Sequence, residues 1–350
     1  MAADSGNVVV AVRCRPLNSR ERARGAPCLV SMSGQQTVLE MPGDNEEEEP
    51  VAVAVEMRKK KKRQRTFTFD HSFWTAGDAS APGYASQQTV FESIGKAVLQ
   101  HALSGYHCCV FAYGQTGSGK SYTMMGTGEG GGEEEAGLIP RISEQLFASI
   151  ARTADASSCH VEVSYLEIYN ERVRDLLSPG AAAGMGAAGA GGRNLRVREH
   201  PALGPYVEDL TLAAVGSYAE IAAHISQGNK ARTVAATSMN EASSRSHAVF
   251  TIALTMAASG DSPERVARIR LVDLAGSERA KATMATGARL REGAKINQSL
   301  AALGKVISAL ADQATTKKAK ADFVPYRDSV LTWLLKDSLG GNSRTFMIAT

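Results

Sequence analysis

The densest chemistry in this chain is the run Gly114-Gln115-Thr116-Gly117-Ser118-Gly119-Lys120-Ser121, which fits the phosphate-binding pattern G-x-x-x-x-G-K-[ST] at every fixed position. Its glycines let the backbone curl so that successive N–H groups face an anion. Lys120 supplies an ammonium for the β- and γ-phosphates of a nucleotide. Ser121 supplies a hydroxyl for Mg²⁺, a hard cation that prefers oxygen ligands. An ordinary Gly-rich turn is the plainer alternative, but Cys108-Cys109-Val110-Phe111-Ala112-Tyr113 directly before the run is apolar and β-prone, as a buried strand feeding such a loop must be.

Two further segments complete the pattern. Asn240-Glu241-Ala242-Ser243-Ser244-Arg245-Ser246-His247 is dense in hydroxyls and short polar groups. Asp273-Leu274-Ala275-Gly276-Ser277-Glu278 follows the apolar run Ile269-Arg270-Leu271-Val272. An acidic residue ending a buried strand, with Gly close behind, suits a γ-phosphate sensor: Asp273 can hold Mg²⁺ through water, and Gly276 can offer a backbone N–H and hinge. Alone, Asp-x-x-Gly is common and a Ser-rich loop is a solvated turn. In this order the three segments predict a nucleoside-triphosphatase with two switch loops.

The elements that must hold these loops are legible from periodicity. Val8–Arg13 and Val161–Tyr169 read as strands, and Val90–Leu103, Ile139–Ile150 and Glu292–Leu310 carry apolar residues at helical spacing. In the last of these the stripe is Ile296, Leu300, Leu303 and Ile307, which packs on a core. Phe346-Met347-Ile348-Ala349-Thr350 reads as a strand. Alternating strands and helices predict an α/β fold around a mostly parallel sheet. The 350 residues suffice for one large core, and 43% hydrophobic with 21% charged residues is ordinary for a globular domain.

Composition excludes several classes. No apolar run approaches the roughly 20 residues that cross a bilayer, and the first residues lack a secretory pattern. The five cysteines have no C-x-x-C pair and read as reduced cytosolic thiols, with Cys108 and Cys109 inside the strand before the phosphate loop. The seven histidines lack metal-ligand spacing. A net charge of +3 identifies no partner, nucleic acid included.

The phosphate loop, Ser243-Ser244-Arg245-Ser246-His247 and Asp273–Glu278 together resemble a kinesin motor domain, as do Arg13-Cys14-Arg15-Pro16 and Tyr326-Arg327-Asp328-Ser329. The stretches Val163–Leu177, Leu195–Pro201 and Asp328–Leu335, with Val330 and Trp333 where other classes carry basic residues, are most similar to the kinesin-three class of cargo transporters. The resemblance runs from Asn7 to Thr350. It implies a P-loop kinesin motor fold, a central eight-stranded mixed sheet with helices on both faces. It implies a microtubule-stimulated ATPase with ATP and Mg²⁺, acting in the cytoplasm on microtubules without contacting membrane. It also implies that residues 1–350 are a single motor domain whose last helix and neck linker lie beyond Thr350. By resemblance, Arg13, Arg15, Pro16 and Tyr122 frame the adenine; Ser244 joins Ser121 and Asp273 at the metal; Ser243 orients the lytic water. Glu278 is the distal base, pairing with Arg245 when the switches close. Arg279, Lys281, Arg289, Arg291, Arg327 and Lys336, with the loop lysines Lys317, Lys318 and Lys320, are expected to meet tubulin.

Three stretches read as insertions: the acidic Gly43–Pro50, the Gly/Glu-rich Gly126–Gly137, and Ser178–Arg193, whose Ala/Gly composition builds no core and predicts disorder. Arg58–Arg65 is either a protruding basic hairpin or a nuclear-localisation patch. Rival functions separate cleanly. A metabolic P-loop kinase has no use for Asn240–His247, and a GTPase usually carries an Asn/Thr-Lys-x-Asp motif, which is absent. A microtubule-binding pseudo-motor without turnover is expected to lose Lys120, Ser243, Arg245, Gly276 or Glu278, and all are present.

Overall fold

The computed structural model describes residues 8–41, 64–128, 132–152, 159–181, 194–201, 204–237, 244–257, 264–278, 288–315, 323–341 and 343–350. The chain divides into two compact units, Val10–Ser86 and a larger one holding Gln87–Thr350.

The smaller unit takes in most of β1 (Val8–Cys14), then α1 (Ser19–Ala23), β2 (Val30–Ser33), β3 (Gln36–Glu40), β4 (Gln64–Thr68) and β5 (His71–Trp74). β1 and β5 run parallel, with Ala11 opposite His71 and Cys14 opposite Trp74. β2, β3 and β4 form an antiparallel sheet. Gln64 and Arg65 of the basic run lie in β4, paired to β3, while Arg58–Arg63 lie outside the described residues, as does Gly43–Pro50. α1 opens on a capping box: Asn18 accepts from the Glu21 N–H, and Glu21 accepts from the Asn18 N–H, each at 2.8 Å.

The larger unit begins with a continuous helical stretch, α2 (Gln87–Val90), a π turn (Phe91–Gly95) and α3 (Lys96–Leu103). An unbroken helix was expected there. Gly95 accounts for the local packing, since a Cβ on it would stand 2.3 Å from the Phe91 ring. β6 (His107–Tyr113) leads into the phosphate loop and α4 (Lys120–Met125), followed by α5 (Leu138–Ala151), β7 (Cys159–Tyr169) and β8 (Arg172–Asp175). Next come β9 (Val197–His200), β10 (Gly204–Val207), the short β11 (Ala213–Ala214) and α6 (Tyr218–Thr237). β12 (His247–Met256), β13 (Arg265–Asp273), α7 (Ala288–Thr315), α8 (Val330–Leu334), α9 (Lys336–Gly340) and β14 (Ser343–Ala349) complete it.

Its sheet has the order β11-β7-β12-β13-β6-β14, with β8 on β7. β6 pairs in parallel with β13 on one side and β14 on the other. Pairing is antiparallel from β13 to β12, β7, β8 and β11. The sheet is therefore mixed, and in this unit its parallel character belongs to the half that carries the phosphate loop. β6 is buried from Cys108 to Ala112, and burial pushes both thiols up to about 12. Each such fully buried apolar side chain contributes about 1.5–3 kcal/mol.

On α5 the residues Leu138, Ile139, Ile142, Leu146 and Ile150 are buried, the helical spacing read in the sequence. On α7 Ile296, Leu303 and Val306 are buried, and Leu300 and Ile307 are partly buried against the cluster of Leu274, Leu331, Leu334 and Leu335. Of Ser178–Arg193, read in the sequence as a disordered insertion, the structure describes the first four residues. Ala181 is buried and its carbonyl accepts from Arg174 Nη2 at 2.9 Å, while residues 182–193 lie outside the described residues. The Gly126–Gly137 stretch is tied down at its base, where Gly126 bridges Ala136 and Arg141 donates to the Glu133, Glu134 and Ala136 carbonyls.

Candidate functional site

The phosphate loop is shaped by its glycines and filled by its own lysine. Gly119 sits at φ +111°, a left-handed conformation that a side chain would strain, and it hands the chain directly into α4. Lys120 is buried, with Nζ donating to the carbonyls of Gly114 at 3.0 Å and Gln115 at 2.9 Å. Burial lowers its pKa, against the pull of Asp273 and Glu278. Ser118 Oγ lies 2.7 Å from Thr350 Oγ1 at the end of β14. Gln115, Thr116 and Gly117 are exposed along the loop's outer side.

β13 delivers Asp273 to this loop. Ser121 Oγ donates to Asp273 Oδ2 at 2.7 Å, while Asp273 Oδ1 is buried without a hydrogen-bond partner. A buried carboxylate with one oxygen unspent, next to the loop's hydroxyl, suits a hydrated divalent cation, because unpaired buried acceptors are costly. Among the described residues no group of three or more His, Cys, Asp or Glu side chains forms a metal cage, and this hydroxyl and carboxylate are a donor pair a cation could use.

The loop after β13 is tethered at every residue from 274 to 278. Leu274 N–H donates to Ala112 O (3.2 Å), Gly276 N–H to Ser244 O (2.8 Å) and Ser277 N–H to Gly114 O (3.1 Å). Ala275 N–H donates to His247 Nδ1 at 3.0 Å. The Glu278 carboxylate accepts from Thr116 twice, from N–H at 2.9 Å and from Oγ1 at 2.5 Å. Burial works to raise the Glu278 pKa, but these bonds outweigh it and hold the group below its ordinary value. A Cβ on Gly276 would stand 2.4 Å from Glu278 Oε2 and 2.5 Å from Thr116 Oγ1, so a side chain here would displace the Glu278–Thr116 contact.

Beneath the loop lies a buried ionic network that sequence reasoning missed. Arg232 of α6 reaches Asp273 Oδ2 at 3.4 Å and Glu167 of β7 at 3.6 Å. Glu167 also accepts from Ser246 Oγ at 2.6 Å and pairs with Arg174 at 3.6 Å. Burial works against the charge on Arg232, yet Asp273, Tyr165 and Glu167 together raise its pKa. The only sequence signal for this network is a Glu and an Arg at positions where the strand and helix patterns call for apolar residues.

The remaining expected site residues fall in three groups. Arg13, Arg15 and Pro16 belong to the smaller unit. Arg13 is buried with Nε donating to Thr75 Oγ1 at 3.1 Å, Arg15 forks onto both Glu21 oxygens at 2.8 Å, and Pro16 is exposed. Tyr122, in the larger unit, donates from its hydroxyl to Glu135 at 2.7 Å. Ser244 and Arg245 lie in the turn that opens β12. Ser243, Arg279, Lys281, Lys317, Lys318 and Lys320 lie outside the described residues, as do the side chains of Arg289 and Arg291 on α7.

Arg327 and Lys336 converge on one carboxylate. Arg327 Nη2 and Lys336 Nζ reach the two oxygens of Glu199 in β9 at 2.5 Å and 2.7 Å. These bonds, Lys336 first, pull the Glu199 pKa down to about 2. The Arg327 guanidinium also lies 5.3 Å from the centre of the Trp333 ring. Both cations stay partly open to solvent, and the Tyr326–Asp328 turn and α9 that carry them pack on α7.

This arrangement of phosphate loop, acidic sensor and paired cations on Glu199 has counterparts. The family model described as Kinesin motor domain matches residues 13–350. The chain belongs to the kinesin motor domain family. The motor domain is 53% identical to kinesin-like protein KIF1C of Homo sapiens over 98% of this chain and 29% of that protein. It is 53% identical to kinesin-like protein KIF1B of Homo sapiens (98% and 18%) and 51% identical to KIF13A of Mus musculus (98% and 18%). These relatives are kinesin-three motors, the class to which Val330 and Trp333 pointed. The chain spans less than a third of the length of each of these relatives. Among solved structures, a KIF14 dimer in a two-heads-bound state with AMP-PNP in complex with a microtubule aligns with a TM-score of 0.81 at 46% identity, covering 99% of this chain and 88% of that one. A structure titled as a fast kinesin aligns at 0.79 and 40% identity, over 99% and 86%. No described helix of the motor domain is long and apolar enough to cross a membrane.

Proposed function

We propose that this motor domain hydrolyses ATP and couples the hydrolysis to binding and movement along microtubules. The observation that carries the reading is the convergence of Lys120, the Ser121–Asp273 contact and the fully tethered 274–278 loop on one phosphate loop. Family membership supplies the substrate, since related motors have been solved with ADP or AMP-PNP on a microtubule.

ATP would lay its phosphates along the amides of Gly117, Ser118, Gly119, Lys120 and Ser121. Lys120 would exchange two backbone carbonyls for phosphate oxygens, a charge-assisted contact about twice as strong as a neutral one. Mg²⁺, when bound, would neutralise charge between the β- and γ-phosphates, and Ser121, Ser244 and, through water, Asp273 would hold it. Phosphoryl transfer to water depends mainly on positioning and charge stabilisation. Gly276 would turn its N–H from Ser244 to the γ-phosphate. Ser243 would orient the attacking water. Glu278, released from Thr116, would pair with Arg245 and accept a proton through a second water. By the family pattern, Arg13, Arg15, Pro16 and Tyr122 would frame the base. Arg327 and Lys336 would meet acidic side chains of tubulin, with Arg279, Lys281, Arg289, Arg291 and the loop lysines extending the surface. The site of action is then the microtubule cytoskeleton.

Glu278→Ala tests the chemical step. The variant is expected to bind ATP with affinity near that of the unaltered protein and to give no burst of phosphate. A burst of full size would overturn the role given to Glu278.

A further inference from the structure

His247 ends the second motif but takes no part in the chemical step proposed for the site. It is 2% exposed, at the start of β12, and each ring nitrogen has a partner on a different element. Nδ1 accepts from the Ala275 N–H at 3.0 Å, so Nδ1 carries no proton. Nε2 must then hold the ring's one proton and donate it to Ser299 Oγ, 2.7 Å away on α7. Ser299 in turn donates to the Ile296 carbonyl of its own helix at 2.7 Å. The three bonds point one way, from the sensor loop through an imidazole into α7. Burial, with Arg232 and Lys120 nearby, pushes the His247 pKa down to about 3, so the ring stays neutral and the direction of the chain is fixed.

Its position in the loop matters. The neighbouring tethers of residues 274–278 lead to Ala112, Gly114 and Thr116 around the phosphate loop, and to Ser244. The bonds from Ala275 to His247 and on to Ser299 make a polar route from this loop to α7. Ala275 is also the residue before Gly276, whose amide is proposed to turn to the γ-phosphate. A turn of that amide moves the Ala275 peptide with it, and an imidazole bonded at both ends transmits the motion or loses a buried bond. α7 packs against α8, α9 and the Tyr326–Asp328 turn, the elements that carry Arg327 and Lys336.

We propose that His247 is a positioning residue that couples Ala275 of the nucleotide-sensing loop to Ser299 of α7 through its neutral ring. It thereby links the chemical step to the partner-binding face. The proposal rests on the ATPase-motor reading and names the residue that carries coupling within it.

Ser299→Ala removes the far end of the bridge without touching the phosphate loop. Steady-state ATPase of the 350-residue protein is measured with and without microtubules, together with the microtubule concentration for half-maximal rate. The maximal stimulated rate is expected to fall about tenfold, the size set by one buried hydrogen bond in the coupled state, while the basal rate and half-maximal concentration stay within about twofold. Ser299→Thr, which keeps the hydroxyl, is expected to recover most of the stimulated rate. Full stimulation of Ser299→Ala, or a parallel fall in basal and stimulated rates, overturns the coupling role. If the unaltered protein shows no stimulation, the motor reading itself fails and this inference with it. A second measurement needs no variant: the ¹⁵N spectrum of histidine-labelled protein is expected to show His247 protonated on Nε2 only, and protonation on Nδ1 overturns the proposal.

Discussion

The nucleotide-facing loops and the cationic surface around Glu199 use charge in opposite ways. Around Asp273 the charges are buried and interlocked: Arg232 spans Asp273 and Glu167, and Lys120 is folded back on its own loop. Around Glu199 the charges are surface groups with two cations sharing one carboxylate, and the side chain of Arg327 is 69% exposed. Exposed pairs contribute about 0.2–1 kcal/mol each and are screened by salt, whereas breaking a buried pair costs about 3–5 kcal/mol. The first region can therefore hold a defined geometry through a catalytic cycle. The second is suited to exchanging an internal carboxylate for those of a partner at little cost.

Substitutions that test this contrast should rank accordingly. Lys120→Ala is expected to lower kcat by at least about 10²–10³-fold and to weaken nucleotide binding, because a polyphosphate loses its direct cation. Near-normal stimulated turnover would remove this loop from the chemistry. Arg232→Ala takes the buried cation from Asp273 and leaves Glu167 with Arg174 alone, and chemical denaturation should show a loss of about 3–5 kcal/mol. A loss below about 1 kcal/mol would place the network on the same footing as the surface pairs.

The pH dependence of stability probes the buried side more finely. His247 is held neutral with a pKa of about 3, well below its unfolded value of about 6.5. Between these values the unfolded chain binds a proton that the native one does not, so stability is fullest above about pH 6.5 and falls as pH drops toward 3. The slope from this group is at most about 1.4 kcal/mol per pH unit. Urea unfolding between pH 7 and 5 should be correspondingly flatter in His247→Gln, and an unchanged slope would mean the ring titrates alike in both states. The smallest effect belongs to the surface: Arg327→Ala should raise the microtubule concentration for half-maximal ATPase about two- to fivefold at low salt, with the difference shrinking as salt rises. A difference that persists at high salt would point to a desolvated contact.

The same contrast explains what the sequence disclosed. Gly114–Ser121 and Asp273–Glu278 are local patterns, in which spacing along the chain fixes backbone shape, and the Ser121–Asp273 contact follows from both. The α7 stripe was legible because burial imposes period on one face, and Val161–Tyr169 because its apolar residues alternate along the chain, although Val163–Ile168 are buried throughout. Glu167, Arg232 and Ser299 were not, because each interrupts its element's pattern and acquires meaning only from a partner far away in sequence. Glu199 was missed for the same reason, since its cations lie 128 and 137 residues downstream. The π turn at Phe91–Gly95 hid inside a regular helical spacing, as one extra residue in a turn leaves little trace in periodicity. Ser178 and Ala181 are packed although their composition matches the glycine-rich stretch that follows, because Arg174 and Asp175 hold them.

The central claim is that the tethered phosphate loop and the exchangeable cationic face are parts of one engine. Steady-state ATP hydrolysis by the unaltered protein, measured over a series of microtubule concentrations, tests it most directly. A slow basal rate that rises at least about tenfold and saturates with microtubules is the predicted result. A rate that is the same with and without microtubules would contradict it.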